Sequence, residues 1–138
     1  MIGFRRKMTV GINYYKMYKQ GDIIVVKFPF TDRSEFKKRP ALIISNETVN
    51  KTNDYLIAQI TSKINIDELS IPIENTDCLQ PLPLKSFVRS HKIFTVHHSL
   101  ILSKITSAKL QFTIKIADKI YNLISTRQTK VKGADKPA

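Results

Sequence analysis

Short apolar runs separated by polar, proline-bearing connectors fill the first three quarters of the chain, a pattern that suits strands rather than helices. Residues 22–28, DIIVVKF, are β-branched and apolar and predict a strand that Pro29 stops. Residues 40–46, PALIISN, are nearly all apolar and predict a strand buried on both faces. In DYLIAQIT, residues 54–61, alternation sends Tyr55, Ile57, Gln59 and Thr61 to one face and Leu56, Ala58 and Ile60 to the other. ELSIPIE (68–74) alternates like an edge strand and carries Pro72. LQPLPLKS (79–86) is a proline-punctuated loop, after which SFVRS (86–90) and HKIFTV (91–96) predict two short strands or one continuous one.

The period then changes. Ser107 is a candidate N-cap, and Leu110, Ile114, Ala117, Tyr121 and Ile124 recur at helical spacing. Phe112, Ile116, Ile120 and Leu123 widen that stripe, so the helix has to be covered by the sheet or by a partner chain. Many short strands, 4 glycines and one terminal helix predict a mainly-β fold, a small closed β-barrel with helical decoration. Closure would also remove exposed strand edges.

Composition narrows the picture. A length of 138 residues with 42% hydrophobic content fits one globular domain. The expected organisation is a loosely ordered extension (1–16), a domain (17–125) and a basic, disordered tail (126–138), with Met17 a plausible alternative start. The single cysteine, Cys78, permits no internal disulfide and suits a reducing cytoplasm. No apolar run approaches a membrane span and the N-terminus has no continuous apolar core, so neither a membrane nor secretion is expected. The net charge of +12 invites a nucleic-acid reading, but the two ends carry +4 and +3, leaving +5 for residues 17–125.

Arg39, Thr61, Ser62, Arg89 and His91 are the candidates for chemistry. Arg39 precedes a predicted strand and Thr61 ends one, so both can lie at one rim of a sheet. Arg39 alone reads equally as a solvated loop cation, and the Thr61–Ser62 hydroxyls as partners of local backbone. Arg89 and His91, two residues apart on one strand face, form either a phosphate site or an ordinary surface pair. His97 and His98 point to opposite faces, and one cysteine gives metal chelation little support, so no metal or other cofactor is expected. No glycine-rich phosphate loop or GxSxG motif appears. Cys78 could be reactive, and Tyr14, Tyr15 and Tyr18 could stack on bases or simply pack.

Three ordered blocks resemble the PemK/MazF-type toxins, small ribonucleases of bacterial toxin–antitoxin pairs. The first is Gly21-Asp22, then Phe28-Pro29-Phe30-Thr31-Asp32, Arg39-Pro40 and Ser45-Asn46. The second is AQITS, ending in Thr61-Ser62. The third, SFVRSHKIFTVHHSLI (86–101), is similar to the family's Ser-x-Val-Arg-x-Asp-Lys-Ile segment. The resemblance implies an SH3-like barrel with a C-terminal helix, a homodimer, a cognate antitoxin, and metal-independent cleavage of single-stranded RNA. It also implies DNA binding by the toxin–antitoxin complex. Arg39, Thr61, Arg89 and His91 would then be catalytic, and Thr31, Lys37, Lys38 and Ser62 would bind RNA. The variable loop before Arg39 would gate RNA entry.

The chain departs from the family pattern at three places. His91 stands where relatives often carry an aspartate proposed as general base, Thr106 replaces a common glycine, and the loop 31–38 lacks a histidine that some relatives use. Histidine can serve as a base near neutral pH, or its presence can mark altered geometry. A same-fold binding protein is therefore the alternative, either a gyrase poison acting through its C-terminal helix or an inactive RNA-binding barrel.

Overall fold

The computed structural model describes residues 17–28 and 37–126. Six strands appear in chain order: β1 (Asp22–Phe28), β2 (Lys37–Ile43), β3 (Asp54–Thr61), β4 (Ser70–Ile73), β5 (Ser86–His97) and β6 (Ile101–Ser107). A short helix, Glu47–Asn50, joins β2 to β3, and the C-terminal helix spans Leu110–Ile124. The strands form one antiparallel sheet in the order β4-β5-β3-β2-β1-β6.

The predicted barrel closure is corrected in one respect: β4 and β6 are the two sheet edges and do not pair with each other. The segment after β4 nonetheless reaches the end of β6. Cys78 bridges Ala108, the Leu79 N–H donates to the Ser107 carbonyl (2.9 Å), and the Lys109 N–H donates to the Asp77 carbonyl (2.7 Å).

Two apolar clusters lie on opposite faces of the curled sheet. Ile23, Leu42, Ala58, Ile60 and Val88 pack under Phe112 and Ile116 of the C-terminal helix. Ile24, Val26, Ala41, Ile43, Tyr55, Ile57 and Val96 fill the other. The split sends Leu42 one way and Ala41 and Ile43 the other, as a strand buried on both faces requires.

Several signature residues build this scaffold. Gly21 has φ +95°, and a Cβ there would meet Thr113 Oγ1 at 3.1 Å, so glycine lets the chain turn under the C-terminal helix. Buried Asp22 accepts from the Lys19 N–H (2.9 Å) and the Ser107 hydroxyl (2.8 Å), with Lys104 Nζ 3.4 Å away. Asn46 caps the short helix by accepting from the Thr48 N–H, and the Ser45 hydroxyl accepts from the Leu56 N–H.

The helix departs from expectation in two ways. Ser107 is not its N-cap, because its hydroxyl is committed to Asp22; the cap is Lys109, in extended conformation. The stripe Leu110, Ile114, Tyr121 and Ile124 is exposed, while Phe112, Thr113 and Ile116 are the buried residues. The helix is apolar on both sides, and the sheet covers only one.

Candidate nucleic-acid interface

β2 begins at Lys37, earlier than predicted, because the basic run pairs with β1 instead of looping: Lys37 lies opposite Phe28, Lys38 opposite Lys27, and Arg39 opposite Val26. Lys38 and Arg39 thereby carry two cationic side chains to this end of the sheet.

The β2/β3 pairing ends at Ala41–Gln59, and two residues further along the same register lie Arg39 and Thr61. There the strands part around an open cleft of about 300 Å3 lined by Lys38, Arg39, Pro40, Ile60, Thr61 and Ser62. It is also lined by the loop Leu82-Pro83-Leu84 with Ser86 and Ile105, none of which the sequence marked as a candidate for chemistry. No hydrogen bond or ion pair holds Arg39 among the described residues. The Thr61 hydroxyl accepts from the Lys63 N–H at 3.0 Å, which is the local backbone bond its sequence context permits. That bond uses the oxygen and leaves the hydroxyl hydrogen free to donate to a ligand.

Arg89 and His91 are not among the residues lining this cleft. Thr61 pairs with Phe87, and Arg89 is two residues further along β5, so alternation keeps Thr61, Phe87 and Arg89 on one face. Between the pairs Ile60–Val88 and Ala58–Ile93 the register shifts, and β5 bulges through residues 89–92. Arg89 donates to Asp67 (3.0 and 3.2 Å) and to the Ser70 hydroxyl (2.6 Å), a carboxylate partner 22 residues away that the sequence did not point to. Arg89 in turn holds the Asp67 carboxyl below the usual carboxylate range. His91 is exposed and held below the ordinary histidine value by partial desolvation, then by Arg89 and Lys92, with Asp67 opposing. A neutral imidazole is therefore favoured, the form a base needs.

Lys37 is exposed one position outside the cleft, and Thr31 lies outside the described residues, as do residues 29–36 of the loop before Arg39. Cys78 is buried, and burial followed by the Asp77 charge pushes its thiol up, which argues against reactivity. Tyr18 packs edge-on to Tyr55 (6.1 Å) and against His98 (5.7 Å), a packing role, while Tyr14 and Tyr15 lie outside the described residues. His97 accepts the Ser99 N–H (3.1 Å) as a cap. Among the described residues no three His, Cys, Asp or Glu side chains come together as a metal site, and no helix is long and apolar enough to cross a membrane.

The sequence profile of the PemK-like, MazF-like toxins of type II toxin–antitoxin systems matches residues 19–124. The chain belongs to that family. Solved MazF-type structures share the fold. A Mycobacterium tuberculosis toxin, MazF-mt6, superposes with a TM-score of 0.59 at 20% identity over 73% of this chain and 93% of that one. A mycobacterial endoribonuclease in complex with its cognate antitoxin gives 0.65 at 16% identity, over 79% and 96%. A MazE–MazF complex from Deinococcus radiodurans gives 0.65 at 16%, over 78% and 96%. No curated protein sequence matches significantly. In this MazF-like chain the signature divides: Gly21-Asp22 and Ser45-Asn46 hold the scaffold, whereas Arg39 and Thr61 face the cleft.

Proposed function

We propose that this MazF-like toxin is an endoribonuclease that cuts single-stranded RNA without a metal. The observation that carries the reading is the cleft that Arg39 and Thr61 line together, beside Lys38 and Ser62. Arg39 would clamp the scissile phosphate with its rigid fork of donors. Thr61, its oxygen anchored by Lys63, would donate to a phosphate oxygen as negative charge builds there.

The nucleophile would be the ribose 2′-hydroxyl. It attacks the adjacent phosphorus, the bond to the 5′-oxygen breaks, and the products are a 2′,3′-cyclic phosphate and a 5′-hydroxyl end. His91 would take the 2′-hydroxyl proton, a solvent water would give a proton to the departing 5′-oxygen, and Arg89, on the same sheet face as Thr61, would stabilise the phosphate. For both pairs to act on one linkage, the scissile phosphate would sit between Arg39 and Arg89 on the sheet face that Thr61, Phe87 and Arg89 share. DNA lacks the attacking hydroxyl and would not be cut.

Two partners belong to this reading. The exposed helix face of Leu110, Ile114, Tyr121 and Ile124 would be covered by a second copy in a homodimer. A cognate antitoxin with an acidic or amphipathic segment would fold into the basic groove and block it. A binding-only role has one observation in its favour, the engagement of Arg89 by Asp67 and Ser70.

The test is incubation of single-stranded RNA with the protein in excess chelator. Cleavage that persists, and that Arg39→Ala lowers strongly, supports the reading. Cleavage that stops with chelator and returns with added metal contradicts it.

A further inference from the structure

A second cavity, about 460 Å3, lies beside the Arg39–Thr61 cleft and includes Glu74, Asn75, Thr76 and Lys85 in its lining. The two cavities share Leu82 and Leu84 as a common wall. They also meet through the sheet: Ile73 of the second cavity pairs directly with Ser86 of the first. Its volume falls in the range of pockets that hold small organic groups, roughly 300–1,000 Å3.

The polar side of the cavity is held by fixed backbone. The Glu74 N–H donates to the Asp77 carboxylate (2.7 Å), the Asp77 N–H donates to the Glu74 carbonyl (2.9 Å), and the Asp77 carbonyl is tied to Lys109. The side chains of Asn75 and Thr76 make no hydrogen bond among the described residues. The Glu74 carboxylate meets Lys85 Nζ at 3.2 Å, but both side chains are more than half exposed, so the pair is weak and easily opened.

We propose that this cavity holds the base next to the scissile phosphate and selects guanine, an inference that rests on the nuclease reading. A carboxylate accepts only, so it favours a base edge carrying N–H donors. Guanine offers two adjacent ones, N1–H and N2–H, to the two oxygens of Glu74, and its O6 can accept from Lys85 or the Asn75 amide. Uracil has one N–H between two carbonyls, which would face the carboxylate unfavourably. Leu82 and Leu84 supply the apolar surface against which a ring can lie. Unstacked bases of single strands expose this edge, whereas duplexes hide it.

The experiment measures binding of short 2′-O-methyl oligouridines, which cannot be cut by 2′-hydroxyl attack, each carrying one guanine, adenine or cytosine. The parent and Glu74→Gln are compared, with RNA cleavage of each assayed in parallel. The parent should bind the guanine oligomer about tenfold to a hundredfold tighter than plain oligouridine, and Glu74→Gln should lose most of that ratio. Equal binding of all four by the parent, or an unchanged ratio in Glu74→Gln, overturns the inference. Guanine selection without cleavage by the parent would sink the nuclease reading while leaving the base site standing. Cleavage without selection would do the reverse.

Discussion

Replacing Thr61 by valine removes one hydroxyl and keeps the β-branched shape that suits the end of β3. That hydroxyl makes one observed bond and, in the proposed reaction, has one further task of greater weight. Its bond from the Lys63 N–H is an exposed turn contact, and losing it costs about 0.5–1.5 kcal/mol of stability at most. Its donation to the reacting phosphate would act in the transition state, where losing a single well-placed donor costs about 10²–10³ in turnover. The cleft is open to solvent and Thr61 only half-buried, so the lower end applies, about 10² or roughly 2.7 kcal/mol. Thr61→Val should therefore melt within a few degrees of the parent yet cut RNA about a hundredfold more slowly, with KM little changed. Thr61→Ser, which keeps the oxygen, should recover most of the rate. The assay is cleavage of a fluorogenic oligonucleotide alongside thermal melting. Thr61→Val cutting within about threefold of the parent would refute this use of the hydroxyl.

Arg39→Ala should lower both turnover and RNA affinity and flatten the salt dependence of binding by about one phosphate contact, measured by titration at several ionic strengths. If His91 is the base, kcat/KM should fall on the acid side as the imidazole takes a proton, with the midpoint below the ordinary histidine value because desolvation, Arg89 and Lys92 all disfavour the cation; a pH–rate profile checks this, and His91→Ala should abolish that limb. Asp22→Ala should destabilise the fold by about 2–4 kcal/mol in denaturant melts, since it strands the Lys19 N–H and the Ser107 hydroxyl at the β1–β6 junction. Ile114→Glu should leave the fold intact and give a monomer by light scattering where the parent gives a dimer.

The parts of the fold written in side-chain alternation were legible from sequence. β1 and β3 follow their apolar runs, and Tyr55, Ile57, Ala58 and Ile60 take the faces that alternation assigns. β6 was not legible: it is an edge strand with most positions exposed, and its pairing with β1 shifts register twice, which scrambles the period. The helix Glu47–Asn50 is one turn, too short to show a period at all. The C-terminal helix was found, but Leu110, Ile114, Tyr121 and Ile124 and the stripe of Phe112 and Ile116 are equally apolar, so sequence alone did not tell which one the sheet covers.

The candidate site was legible in the same uneven way. Arg39 and Thr61 line one cleft because they lie on adjacent strands just beyond the last β2/β3 pair, and strand ends can be read from apolar runs. Asp67 could not be connected to Arg89 from sequence, because a contact across 22 residues depends on how β4 seats against β5. Arg89 and His91 fall at the β5 bulge and outside the cleft lining, and a bulge leaves no compositional mark.

The central claim is that the substrate's own 2′-hydroxyl is the nucleophile in a reaction run at Arg39 and Thr61. Its most direct test is a single-stranded RNA whose cut position has been mapped, remade with one deoxyribose on the 5′ side of the scissile phosphate. The account predicts that this substitution abolishes cleavage at that position with little loss of affinity, and that the all-ribose parent gives a 5′-hydroxyl end. Continued cleavage at the deoxyribose, or a 5′-phosphate end on the parent product, would contradict it.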